Sequence, residues 1–424
     1  METKHNVSIE DRFGNRGTEV YKPVTEKEIS DFLKKANEEG KSVSIEGGGT
    51  KRGYGGQGEA YDWTLSLADW KGVVEHQAGD MTVTVRAGTT IAELQTFLED
   101  YDQKVSIDPC WPDDSTIGGV ISANESGPKR MNYGSARDLV IGLRVVYPDG
   151  EVIRTGAKVV KNVAGYDMNK LFIGAMGTLG VISEITMKLR PKPKYESLVL
   201  LSVEEEEVDT LRSLAVSIQD AMIEPVCLEL MNPQLSKYLT GREAYTLLVG
   251  FEDVEKAVKD QEGWMEYHKP ASAQMDVKQE EDAREFWKAF SKRAPNALDQ
   301  SDGETKVVLK TGSKPMEAFS IIKEAEKIQH EVSVQVESHG GLGHGISQLV
   351  VSGSEEGIVS FVDQLRKYAA KQKGYVILKH LPTELRKSID PWGNYTSGLF
   401  LMEKIKKAVD PDHTLNHQRF IGGI

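Results

Sequence analysis

Apolar residues recur at helical spacing in some stretches of this chain and at every second position in others, and the two patterns alternate along its first half. Thr25 with Glu28 three residues later, ahead of Ile29, Phe32, Leu33 and Ala36, predicts a capped helix that stops at Gly40. Ser42–Glu46 reads as a strand running into a glycine-rich loop. Met81–Gly88 is a second period-2 run, and Thr89–Leu94 opens another helix. The alternation predicts α/β or α+β packing as far as Pro193. Two prolines in Arg190–Lys194 cannot sit in a sheet centre and suggest a domain boundary.

Beyond that boundary one pattern occurs twice. Its first copy runs from a strand at Leu198–Val203 through a helix, strands near Val226–Met231 and Tyr245–Phe251, and a helix from Asp253. The second places strands at Lys306–Leu309, Glu331–Glu337, Gly345–Val351 and Tyr375–Lys379, with helices at Lys314–Gln329 and Glu355–Lys371. This β-α-β-β-α-β order is the split-βαβ, ferredoxin-like arrangement. Two such halves predict one antiparallel sheet with helices on one face, joined by a helical insertion around Glu280–Lys292. The acidic run Glu204–Glu207 reads as complementing a helix N-terminus rather than as a binding patch.

Composition narrows the function. The 424 residues suffice for two or three domains, and a net charge of −13 argues against nucleic acid or an anionic membrane as the main partner. No apolar run approaches the roughly 20 residues of a membrane span. The polar start, Met1 to Asn6, has no signal-peptide core, so cytoplasmic residence is the expectation. Cys110 and Cys227 read as reduced thiols, and two thiolates cannot hold an iron–sulfur cluster, which takes about four ligands. Electrons arriving on this chain must leave for a diffusible acceptor or another polypeptide.

The informative motifs are glycine-rich. Gly47, Gly48, Gly49 and Thr50 follow a strand and can form an anion nest of backbone N–H groups. The spacing is neither a Rossmann fingerprint nor a P-loop. Ser106–Pro109, Ser115–Gly119 and Ala123–Gly127 form a second element, and Gly177–Glu184 a third, entering a β-branched strand. With Arg137-Asp138 and Lys161–Asp167, these motifs span roughly residues 20–195 and resemble the FAD-binding domain of the vanillyl-alcohol oxidase/PCMH-type flavoprotein superfamily. Within it the similarity is strongest to the glycolate-oxidase FAD-binding-subunit branch.

That resemblance implies an α+β chain: a PCMH-type two-subdomain FAD-binding domain over residues 1–193, a cap domain with a duplicated ferredoxin-like antiparallel sheet over 194–395, and a segment, 396–424, returning to the first domain. It implies that Thr116, Gly118 and Gly119 meet the FAD diphosphate. Pro109, Asn124 and Gly127 would lie near the flavin ring or ribityl chain, and Gly180 and Ile182, entered through Gly177, at the adenine end. Covalent attachment in this superfamily commonly uses a His in the first glycine loop. None occurs between His5 and His76, so a dissociable, non-covalent FAD is expected, with Cys110 packing rather than forming a thioether. Relatives usually end in an Asn-Pro-Gly-Arg/Lys turn beside the flavin; here His417 and Gln418 replace Pro and Gly.

The activity implied is oxidation of glycolate or a similar short 2-hydroxy acid, which needs a cation for the carboxylate, a base and a hydride acceptor. His339, within Glu337–His344, and His380, ending a strand, are the candidate bases, with His380 favoured because Pro382 keeps its backbone extended. The His339 segment equally fits a hairpin turn with exposed histidines. His339 and His344 are spaced like no standard zinc signature, so no metal is expected. The branch implies a hetero-oligomer with a second flavoprotein subunit and an iron–sulfur subunit, any membrane association being routed through those partners. A self-sufficient D-lactate or 2-hydroxy-acid dehydrogenase and a non-catalytic, FAD-binding relay subunit are the alternatives.

Overall fold

The computed structural model describes residues 12–56, 60–156, 166–299, 304–393 and 397–424. Most of the Lys161–Asp167 motif lies outside them.

The first half is built mainly on two sheets, with a two-residue ribbon pairing Gln103–Lys104 with Arg190–Pro191 beside them. Gly17–Tyr21, Tyr61–Ser66 and Val43–Glu46 form a parallel three-stranded sheet with the Tyr61–Ser66 strand central. Five antiparallel strands form the other, in the order Val73–Gln77, Thr82–Arg86, Val181–Lys188, Val140–Val146, Val152–Gly156. The helix Glu26–Glu38 opens with Thr25 and Glu28 exchanging side-chain and backbone hydrogen bonds, and buries Ile29, Phe32, Leu33 and Ala36, as their spacing requires. Thr90 and Glu93 cap Ile91–Glu99 in the same way. One apolar core joins these helices to both sheets. The chain's end returns to it: Val43 donates to the Thr414 carbonyl at 2.7 Å and accepts from the Asn416 N–H at 2.9 Å.

The second half is one eight-stranded antiparallel sheet, ordered Gln274–Gln279, Tyr195–Val203, Tyr245–Asp253, Cys227–Met231, Gln335–Gly341, Ile346–Ser352, Lys306–Gly312, Tyr375–His380. Within each half of that list the strands fall in the ferredoxin-like order 4-1-3-2, and the two second strands pair at the pseudo-twofold. Helices Val208–Asp220, Glu255–His268, Glu317–Val332 and Glu355–Lys371 pack on one face. On the other, the first half carries Pro233–Thr240 and Glu280–Ser291, so Leu198 and Leu200 are buried there while Val199 and Leu201 are buried opposite. This double burial explains the unbroken apolar run of that strand. In the second half, Ile346–Ser352 and Tyr375–His380 alternate throughout and Gln335–Gly341 does so as far as His339, one side in the core and the other facing the first half of the molecule.

Candidate functional site

The strand Val43–Glu46 delivers Gly47–Thr50 to the rim of a narrow cleft of about 80 Å³. Thr116, Gly118, Gly119, Gly177, Gly180 and Ile182 line the same cleft, so three motifs far apart in sequence converge. Among the described residues, no acceptor within the protein engages the N–H groups of Gly47, Gly48, Gly49 or Thr50. Four successive unused donors in a polar cleft fit a diphosphate. Gly118 and Gly119 contribute shape instead, because their N–H groups are spent on the Ala87 carbonyl (2.8 Å) and the Thr116 hydroxyl (3.3 Å). Gly180 sits where a Cβ would lie 2.5 Å from Val145.

Two further lining residues, Asn416 and Arg419, come from the C-terminal turn that the resemblance places beside the flavin, though neither was singled out as a site residue from the sequence. Asn416 accepts from Ile45 N–H at 2.9 Å and donates to the Met176 carbonyl at 2.7 Å, tying the turn to two of the three motifs. Gln418 holds the left-handed conformation (φ +61) that glycine adopts most readily, so the turn forms despite the altered residues. Arg419 and the buried Arg386 donate to carbonyls of Lys51 and Arg52, clamping the first glycine loop from behind.

A larger cavity of about 270 Å³ adjoins this cleft through Ala123, which lines both. Its floor is Ile107–Cys110 and Glu125–Arg130, including Pro109 and Gly127; its roof is the polar side of the second sheet, with Phe290 and Trp287 closing one flank. Asn124 lines neither space and packs against Gly174. Gly127 donates to Asp108, whose carboxyl burial raises to about 6 against the pull of Lys129 and these backbone donors. Burial likewise raises the Cys110 thiol, which accepts from Gln348 at 3.9 Å.

The histidines separate cleanly. His339 lines the cavity, on the strand Gln335–Gly341 rather than at a hinge, the turn following at Leu342–Gly345. Its Nδ1 bonds Glu229 Oε2 at 2.8 Å, and His344 Nε2 bonds the other oxygen at 3.0 Å. Burial opposes charge on Glu229, but the two imidazoles together hold it below the usual carboxylate range. His380 lines neither space. It packs on Phe13 at 4.4 Å beside a void of about 30 Å³, and burial, with the charges of Arg12 and Arg386, lowers its imidazole to about 3.

Several of the fixed charges in and beside the cavity pair off. Glu125 holds Lys51 (3.0 Å) and Lys379 (3.1 Å); although burial works against it, these ammonium groups bring it to about 2. Glu252 takes Lys129. Lys310 and Arg130 also line the space. No group of three or more His, Cys, Asp or Glu side chains arranged for a metal occurs among the described residues.

Residues 18–156 match the family described as FAD binding domain. The chain is similar to glycolate oxidase subunit GlcD of Bacillus subtilis (38% identity over 160 residues, 38% of this chain and 34% of that one). It is similar to subunit GlcE of Escherichia coli (35% over 165 residues, 38% and 43%). The match thus spans less than half of either relative. The D-lactate dehydrogenase of Archaeoglobus fulgidus aligns more weakly but over nearly the whole length, 25% identical over 421 residues, covering 94% of this chain and 90% of that one. Among solved structures, p-cresol methylhydroxylase superposes with a TM-score of 0.70 at 14% identity, covering 95% of this chain and 88% of that one. Residues 18–156 are therefore an FAD-binding domain within a chain of PCMH-type α+β fold, and FAD is its cofactor.

Proposed function

We propose that this chain oxidises glycolate or a similar short 2-hydroxy acid to the 2-oxo acid, working as the FAD-binding subunit of a glycolate-oxidase-type assembly. FAD, when bound, supplies the hydride acceptor. Gly47–Thr50 would hold its diphosphate, non-covalently, and the adjoining cavity its ring. The observation that carries the catalytic reading is the state of His339. Glu229 is an acceptor, so each imidazole donates to it, and this fixes both tautomers. His344 is then fully used, because its Nδ1 accepts from Ile346 N–H at 3.1 Å. Among the described residues His339 Nε2 has no partner, and it belongs to a ring that lines the cavity. His339 takes the hydroxyl proton there, Glu229 stabilises the imidazolium, and His344 positions Glu229. His380, buried behind the first loop, has no access to that space.

The near full-length alignment with the Archaeoglobus D-lactate dehydrogenase favours a second reading, a dehydrogenase complete in one chain. An iron–sulfur and a second flavoprotein partner belong to the first reading alone. Anaerobic addition of glycolate or D-lactate to the purified chain should bleach the flavin absorbance. His339→Gln should slow that reduction about 10²- to 10⁴-fold while FAD stays bound. No bleaching with any 2-hydroxy acid would reject both readings and leave a non-catalytic relay subunit.

A further inference from the structure

Among the described residues, two cations lining the larger cavity, Lys310 and Arg130, have no side-chain partner. Among the cavity's charged residues, Lys379 shares the Glu125 carboxylate with Lys51, which lies outside the cavity lining; Lys129 pairs with Glu252 and Glu229 with the two histidines, while Asp108 accepts backbone N–H groups of Gly127 and Lys129. Lys288 is exposed at the edge. Among the described residues, Lys310 and Arg130 make neither a side-chain hydrogen bond nor an ion pair, although both line the space. Removing an ammonium from water without a counter-charge is costly, and such groups persist where a ligand supplies the missing anion. Burial first, then the charges of Lys379 and Arg130, lower the Lys310 amine to about 8, with Glu125 alone opposing.

Strand register places Lys310 relative to the base. His339 pairs with Gln348, Gln348 with Lys310, and Lys310 with Ile377, one row across four strands. Strands lie about 4.8 Å apart, so the His339 and Lys310 backbones stand about 10 Å apart on either side of Gln348. All three residues line the cavity, with His339 and Lys310 flanking Gln348. Arg130 enters from the opposite wall. A cavity of about 270 Å³ is already small for a ligand site, and a flavin ring seated there would take part of it.

Resting on the hydroxy-acid reading above, we propose that Lys310 and Arg130 together anchor the substrate carboxylate, with its hydroxyl toward His339. The cavity then selects 2-hydroxy acids of two or three carbons with one carboxylate, whose charge meets both cations; a longer acid would have to displace Gln348 or Phe290. Lys310 and Arg130 are binding residues, distinct from the base.

Oxalate, a two-carbon anion with no hydride to give, tests this through its perturbation of the bound FAD spectrum. The wild-type chain should bind it. Lys310→Met should weaken binding about 10- to 150-fold, the size of a charge-assisted hydrogen bond, with FAD content unchanged and KM for glycolate raised more than kcat is lowered. Lys310→Arg should restore most of the affinity. Arg130→Gln, at a half-buried position, should weaken oxalate in the same direction and serves if Lys310→Met fails to fold. Wild-type oxalate affinity in folded Lys310→Met or Arg130→Gln would overturn the anchor and leave the hydroxy-acid reading standing. A wild-type chain that neither binds oxalate nor is bleached by any 2-hydroxy acid would remove both.

Discussion

A Cβ on Gly47 would lie 2.1 Å from the Thr116 hydroxyl, and one on Gly48 1.8 Å from the Asp114 carbonyl, so the first and second glycine motifs touch only because neither carries a side chain. Gly119 differs: its nearest atom would be the Thr116 hydroxyl at 3.2 Å. Gly119→Asp should therefore fold, place a carboxylate on the cleft and lose FAD. Gly48→Ala should lose FAD and also lower the Tm, because separating the loops costs about 1–3 kcal/mol. Flavin content and thermal melts by circular dichroism check the pair; full FAD occupancy in both would remove the diphosphate from this cleft. The glycines were legible in the sequence because close approach leaves no other residue. Which of the two candidate histidines reaches the cavity was not, since a histidine near a strand end looks alike on either face. Parity was the available signal. His380 shares alternation with Val376 and Leu378, which face the core, whereas His339 alternates with Val336 and Ser338 and so faces away from it. Lys310 and Glu229 sit in strands with no motif and needed the register.

Among the elements, those with strong caps or clear periodicity were readable: Glu26–Glu38, Glu355–Lys371 and the duplicated strand order all follow from the pattern. The edge strand Gln274–Gln279 was not, because its sequence is polar on both sides and it pairs along one edge only. Pro233–Thr240 was also missed, although Asn232 at the N-cap, Pro233 at the first turn and Gly241 at the C-cap mark a helix. The contact between the halves was invisible, because its partners are far apart in sequence. There Glu252, on Tyr245–Asp253, receives Lys104, Lys129 and the Tyr133 hydroxyl. Burial opposes its charge, but Lys129 and Lys104 outweigh burial and bring it to about 2. The same carboxylate raises Lys129 despite burial, while at Lys104 burial wins and the amine is lowered. A carboxyl depressed on folding contributes stability above its unfolded pKa of about 4.3, and that contribution fades as pH falls toward 2. Glu252→Gln should lower stability at pH 7 by about 3–5 kcal/mol, since two buried ammonium groups lose their partner. It should also flatten the decline between pH 4.5 and 2. A variant whose denaturation midpoint tracks the wild type at both ends would show that the clamp contributes nothing.

At the scale of the whole molecule, the cleft and the cavity differ in which halves build them. Among the described residues, none between Ile182 and Asn416 lines the cleft, so it belongs to the first half and the returning C-terminus. The cavity takes its floor from the first half and its roof from the second sheet. FAD spanning both would couple the two halves, whereas ADP reaches only the cleft. Ligand at 100 times its Kd stabilises what it binds by about 2.7 kcal/mol, and hydrogen exchange localises that gain. With the FAD-free chain, saturating ADP should slow amide exchange around Gly47–Thr50 and leave Lys306–Gly312 and Gln335–Gly341 unchanged. FAD should slow all three segments, because a ring held in the cavity would touch the strands carrying Lys310 and His339. Protection of the second sheet by ADP alone would mean that the two halves are already coupled without the ring. Absence of protection at Lys306–Gly312 and Gln335–Gly341 with FAD would place the ring outside the cavity, and with it the assignment of His339 as base.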